Sequence, residues 1–267
     1  MLDQVFGSFA NYIIMKIDEY SPIKRRRDYD TKYCLHHVCR VLKGGIPWNY
    51  LGTESHYTTV YKRFIRWKHD KVFEKIWKEI LDKYCLKQSS KDNKWADTLI
   101  IDSTMIKNDY GIDMTGFNHF DRNRQATKQS IICDKNYVPL SCTYYPANVH
   151  DSLTIENSIE QLSCLIREND RFNNTIIADS AYIINETKRK NILSKYKIKL
   201  IAQPRKNMKQ LVPKDAKLLK AHRSKIESLF HKLDCFKRLR SRCDRFIDNY
   251  ATFNFMAMIS LTLKRMT

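Results

Sequence analysis

The sequence predicts a mixed α/β sheet flanked by helices and preceded by a small all-helical domain. Three observations predict it. Apolar residues recur at helical spacing through residues 28–84. A polar stretch follows at 87–95 (Lys87, Gln88, Ser89, Ser90, Lys91, Asp92, Asn93) and makes the best boundary, giving a helical domain over 1–90 and an α/β domain over 91–267. Beyond it, short β-rich runs alternate with amphipathic ones, the order expected of a sheet with one antiparallel hairpin and parallel crossovers.

Taken in order, residues 1–20 lack a basic leader and carry Asp3 early, so they are not read as a signal peptide. Residues 29–42 form a helix ended by Gly44-Gly45, and Pro47 suits the first turn of a short helix around Trp48, Tyr50 and Leu51. Ser55 then caps a longer helix carrying Val60, Phe64 and Trp67, followed by Phe73, Ile76, Trp77, Ile80 and Leu81. Its other face bears Lys62, Arg63, Arg66, Lys68 and Lys71. A short helix, a tight turn and a basic helix suit a helix-turn-helix DNA reader, with a solvated face as the alternative.

In the second part, residues 98–102 read as a strand. Residues 129–133 and 138–144 read as a hairpin joined by Asp134-Lys135-Asn136. Asp151 is expected to cap a helix carrying Ile155, Ile159, Leu162 and Ile166. A strand at 175–179, a helix at 185–196, a strand at 198–202 and a helix from about Asp215 through Leu233 follow. Residues 246–263 are the most apolar stretch. Asp248, Asn249, Asn254 and Ser260 interrupt them, and they fall short of the roughly 20 residues of a bilayer span, so a buried helix is expected.

The 48 Lys and Arg against 29 Asp and Glu leave a formal charge of +19, which favours nucleic acid as partner through counterion release; an anionic membrane surface is the rival. Eight cysteines contain no CxxC pair and sit mostly among apolar neighbours, as expected of reduced, buried thiols in an intracellular protein. Cys34, His36, His37 and Cys39 have the residue types of a zinc site. No second pair stands at the needed spacing, and a packed helix is the reading.

The candidate chemistry rests on a repeated phrase, Ile100-Ile101-Asp102-Ser103 and, 77 residues on, Ile177-Ala178-Asp179-Ser180. Each apolar run stops on an Asp, and the C-terminal ends of such strands are where α/β sheets keep ligands. A third acid, Glu227, lies on an amphipathic stretch with Arg223 one turn earlier. Carboxylates gathered in so basic a chain point to two divalent ions facing a polyanion, and so to phosphodiester chemistry. Each acid also has a plainer reading: Asp102 in a turn, Asp179 as a helix cap, Glu227 in a surface pair with Arg223. His150-Asp151 is read as a helix cap in preference to a support for the metal site.

These phrases form an ordered set with Ala126-Thr127-Lys128, Pro139-Leu140, Pro146-Ala147-Asn148-Val149-His150-Asp151, Ala181-Tyr182, Ser224 through Phe230, and the N-terminal Gly45-Ile46-Pro47-Trp48. Over about residues 28–266 the chain resembles DDE transposases of bacterial insertion sequences, nearest to insertion-sequence family five. The resemblance implies an RNase H-like catalytic domain with Asp102, Asp179 and Glu227 as the acidic triad and Arg223 beside them. It implies two Mg²⁺ or Mn²⁺ ions per site, cleavage at the ends of a mobile element, and transfer of the 3′ ends to target DNA. Expected DNA contacts are Arg223, Lys62, Arg63, Arg66, Lys128, Lys237, Arg238 and Arg240, with the basic segments 24–27 and 232–245 around them. DNA is the expected partner, no membrane is, and at least a homodimer is expected on paired ends, in the cytoplasm at the nucleoid. The rival readings are a domesticated DNA-binding protein without cutting activity and a metal-dependent nuclease of the same fold.

Overall fold

The computed structural model describes residues 1–22, 29–54, 56–91, 97–119, 121–162, 174–205, 208 and 213–266, without the side chains of 91, 213–214 and 222–225. The chain divides into two compact units. One is Met1–Ile80 with Lys107–Asp113 and Lys232–Thr267; the other is Leu81–Ile106 with Met114–His231.

The first unit is helical. After α1 (Leu2–Phe6) and α2 (Ala10–Tyr20), Asp30 caps α3 (Thr31–Gly44) by accepting from the Tyr33 amide. Gly45 closes α3 with φ 66°, a left-handed conformation that glycine adopts without a Cβ penalty, and its amide donates to Val41 O. The 34–39 segment is a packed stretch of this helix, with His37 buried against Tyr33 and His36. Pro47 leads into a 3-10 turn, Trp48–Tyr50.

The long helix expected from Ser55 is two helices, α4 (Tyr57–His69) and α5 (Val72–Lys91). Ser55 lies outside the described residues, and His56 caps α4 by accepting from the Thr58 amide. The break has a local cause. The Asp70 carboxylate accepts from Ser21 Oγ at 2.6 Å and lies 3.9 Å from Arg66 Nε, while Lys71 turns the corner at φ 53°. The polar stretch begins as helix, since α5 continues through residues 87–91; residues 92–95 lie outside the described set.

The C-terminal helix, Ile247–Leu263, is buried on nearly every face, which its even apolar pattern requires. Phe253 stacks on Phe64 at 4.5 Å between ring centres. Among the described residues no helix is long and apolar enough to cross a membrane.

The second unit is built on a mixed sheet with strand order β2-β3-β1-β5-β6, and β4 pairs with β3. Its strands are β1 (Thr98–Asn108, whose last two residues belong to the first unit), β2 (Gly116–Asn118), β3 (Arg124–Cys133), β4 (Pro139–Pro146), β5 (Thr175–Ala178) and β6 (Lys199–Ala202). The β3–β4 hairpin is antiparallel, with Ser130 opposite Thr143. Its turn is held by Asp134, whose carboxylate accepts from the Asn136 and Val138 amides and from Tyr84. β5 pairs parallel with both β1 and β6. The helices α6 (Ile155–Glu160) and α7 (Glu186–Tyr196) flank the sheet, and α8 (Pro213–Asp234) begins in this unit.

Two expectations change here. β1 does not end at Asp102 but runs six residues further, to Asn108. Its burial falls from complete at Ile101 to partial over Asp102–Met105, so the apolar pattern stopped where cover thins and the strand did not. Asp151 caps no helix: His150 caps a 3-10 turn, Asp151–Leu153, and the Asp151 carboxylate bonds Lys128 instead. Ile166, expected in the same helix, is outside the described residues.

The cysteines are mostly covered, as expected. Cys34, Cys39, Cys85 and Cys133 are buried free thiols and Cys142 and Cys243 half-buried, whereas Cys235 is exposed just past the end of α8; Cys164 is not described.

Candidate active site

The parallel register of β1 on β5 sets Leu99 opposite Ile176 and Ile100 opposite Ile177. Carried two residues on, it brings Asp102 level with Asp179, so the repeated phrase in the sequence is the strand register itself. Asp179 follows the last residue of β5, and its Oδ1 accepts from the Ala181 amide at 2.8 Å, capping the 3-10 turn Ser180–Tyr182. Asp102 Oδ1 accepts from the Ser103 amide at 2.8 Å. Glu227 comes from α8.

All three carboxylates line one small cleft of about 60 Å³, lined also by Ile100, Ile177, Leu219 and Ile226. Gln203, which sequence reasoning missed, completes the polar lining. Its backbone N–H donates to Ala178 O at 3.0 Å, which places it beside the end of β5. The signal for it was its position one residue past β6, at the same sheet edge as Asp179.

The electrostatics follow from this crowding. Burial pushes the Asp102 carboxyl up to about 7; the charges of Asp179, Asp151 and Glu227 add to the rise, and the Ser103 amide opposes it. Among the described residues no group of three or more His, Cys, Asp or Glu side chains is gathered tightly enough to hold an ion. Like charges in a partly desolvated cleft repel one another, and a divalent cation relieves that repulsion while finding the oxygen donors it prefers. The donor set therefore has the chemistry such an ion prefers, three carboxylates in one lining, although they are not drawn together around a common point.

A family model described as the transposase DDE domain matches residues 96–262, well over half of the chain. This chain belongs to the DDE transposase family. The family consists of DNA-cutting enzymes that in general use divalent metal ions. A solved structure of piggyBac transposase, in a synaptic complex with hairpin DNA, matches with a TM-score of 0.54 at 12% identity, over 98% of this chain and 72% of that one. At that identity the likeness is one of fold. No curated protein matches the chain.

For a DDE transposase the placement of basic residues matters as much as the acids, and here the structure divides the expected set. Arg63 is buried, donating to Ser21 O and Thr31 Oγ1. Arg66 is part-covered and donates to Pro22 O at 2.7 Å. Lys128 is buried beneath Val149 and Asp151. Arg238 is buried against Asp244 at 2.9 Å and over the Phe253 ring. Arg242, also in the basic segment, is wholly buried, bonded to Asp113 and to Asp244 O. Arg63, Lys128, Arg238 and Arg242 are thus turned into the protein and held by its own fold, whereas Arg66 keeps part of its side chain in solvent. Lys62, Lys237 and Arg240 remain exposed. The Arg223 side chain and residues 24–27 lie outside the described set.

Proposed function

We propose that this chain is a metal-dependent transposase of the insertion-sequence-five kind, which cuts the ends of its own element and joins the freed 3′ ends to target DNA. The observation that supports this most is the convergence of Asp102, Asp179 and Glu227 on one cleft in a chain of charge +19. In this reading the three acids hold two Mg²⁺ or Mn²⁺ ions. Bound there, the ions supply activation of the attacking oxygen and stabilisation of the leaving one. Asp102 releases the proton that burial leads it to keep, Gln203 donates to a phosphate oxygen, and Arg223 takes a second phosphate. Residues 1–90 read the element ends and residues 91–267 carry the chemistry in an RNase H-like domain. Lys62, Lys237 and Arg240 grip the backbone. The site of action is DNA inside the cell.

Two ends must be cut in concert and the described residues form one such acidic cleft, so paired-end DNA is expected to gather at least two chains. Mass photometry on end DNA with a target duplex and Mg²⁺, followed by sequencing gels, is expected to show a two-chain complex, joined products, and weakening as salt rises. Nicks without joining would assign a nuclease instead.

Asp102 sets a pH dependence. Its folded value of about 7 lies above the usual carboxylate range, so without metal the folded chain keeps a proton that the unfolded chain loses above about pH 4. That contribution to stability is present below about pH 4 and is lost as pH rises through 7. Metal binding must expel the proton. Apparent Mn²⁺ affinity is then expected to rise up to about tenfold per pH unit below 7 and to level above it. Thermal shifts with Mn²⁺ and with EDTA between pH 5.5 and 8 measure it; an Mn²⁺ shift independent of pH would show that Asp102 holds no proton for the ion to displace.

A further inference from the structure

β3 carries an unusual run for a buried strand: Thr127, Lys128, Gln129 and Ser130 are all buried. A lysine is costly to bury unless its charge is paired and its hydrogens are bonded. Lys128, with 3% of its side chain exposed, donates from Nζ to Val149 O at 2.6 Å and to Asp151 Oδ1 at 2.8 Å. The same Asp151 oxygen accepts from Ser103 Oγ. Ser103 follows Asp102, and its amide donates to Asp102 Oδ1 at 2.8 Å. One chain of bonds thus runs from β3, through the turn after β4, to β1 at the acid. Tyr182, fully buried, closes the region, since the charges of both Asp151 and Asp102 act on its phenol.

An apolar residue at position 128 would fill this core at lower cost, so packing does not account for the charge. What the bonds provide is a fixed backbone and a fixed carboxylate direction beside the cleft. We infer that Lys128, Asp151 and Ser103 form a positioning relay that orients the Asp102 carboxylate for a divalent cation. The inference rests on the proposed metal reading of the cleft. Partners of metal ligands of this kind typically govern affinity, because they set the direction from which an oxygen meets the ion.

The test compares Asp151→Asn, Ser103→Ala and Ser103→Thr with the unmodified full chain. Mn²⁺ binding is read by calorimetry, and unfolding by urea in EDTA. Asp151→Asn and Ser103→Ala are each expected to weaken Mn²⁺ binding about 10- to 100-fold. Ser103→Thr, which keeps the hydroxyl and suits a strand, should restore it. Ser103→Ala should unfold near the unmodified midpoint, which keeps the test readable if Asp151→Asn folds poorly. A merely structural role predicts a lowered urea midpoint with Mn²⁺ affinity of the folded variants unchanged, and that result overturns the relay while leaving the metal reading intact. An unmodified chain that binds no Mn²⁺ overturns both.

Discussion

Asp102→Asn, Asp179→Asn and Glu227→Gln are each expected to lower strand cleavage and joining by at least about 10³-fold while barely changing affinity for end DNA. Several kcal/mol of charge stabilisation depend on the bound ions, and each 1.4 kcal/mol is about a tenfold change in rate. Binding should persist because Lys62, Lys237 and Arg240 lie outside the lining of the cleft. Replacing a carboxylate by its amide also removes repulsion in a crowded cleft, so Asp102→Asn should leave the ion-free chain folded. Gel assays in Mg²⁺ and Mn²⁺, with binding isotherms alongside, measure both quantities. Substantial cutting by any one variant would remove that acid from the mechanism, and cutting in EDTA would remove the metal.

Arg238→Ala is expected to cost about 3–5 kcal/mol of stability, the usual penalty for breaking a buried ion pair and leaving one charge unpaired. Asp244, with 5% of its side chain exposed, would lose that partner, and the Phe253 ring would lose the guanidinium 5.5 Å from its centre. Arg240→Ala, two residues on and exposed, should change stability by no more than about 0.5 kcal/mol. It should instead weaken DNA binding and reduce the salt slope by about one. Urea melts and binding isotherms at several salt concentrations separate the two effects. Equal losses of DNA affinity from the folded forms of both variants would show that burial does not divide the basic segment as stated.

Much of the candidate site's arrangement was legible because a parallel register converts a sequence echo into a spatial pair. The phrases around Asp102 and Asp179 align through Ile100 and Ile177, and Glu227 stands on the amphipathic helix where it was expected. The hairpin turn at Asp134 and the end of α3 at Gly44-Gly45 were equally readable, since both depend on residues within a few positions of one another. The corner at Asp70 and Lys71 was not, because it depends on Ser21, some fifty residues away in the chain. The same holds for Asp151, which a local reading makes a helix cap and which the fold gives to Lys128 and Ser103.

Charge shows the division most clearly. The sequence alone determined that the chain is strongly basic, that two acids end matching apolar phrases, and that helices precede a mixed sheet. All of these follow from composition, from period, or from spacing along one element. Only the tertiary structure decided which cations face solvent. Arg63, Lys128, Arg238 and Arg242 are turned inward, while Lys62, Lys237 and Arg240 are not. A guanidinium or ammonium can be buried only where distant carbonyls and carboxylates meet it, and those partners are brought together by packing rather than by neighbourhood in the chain.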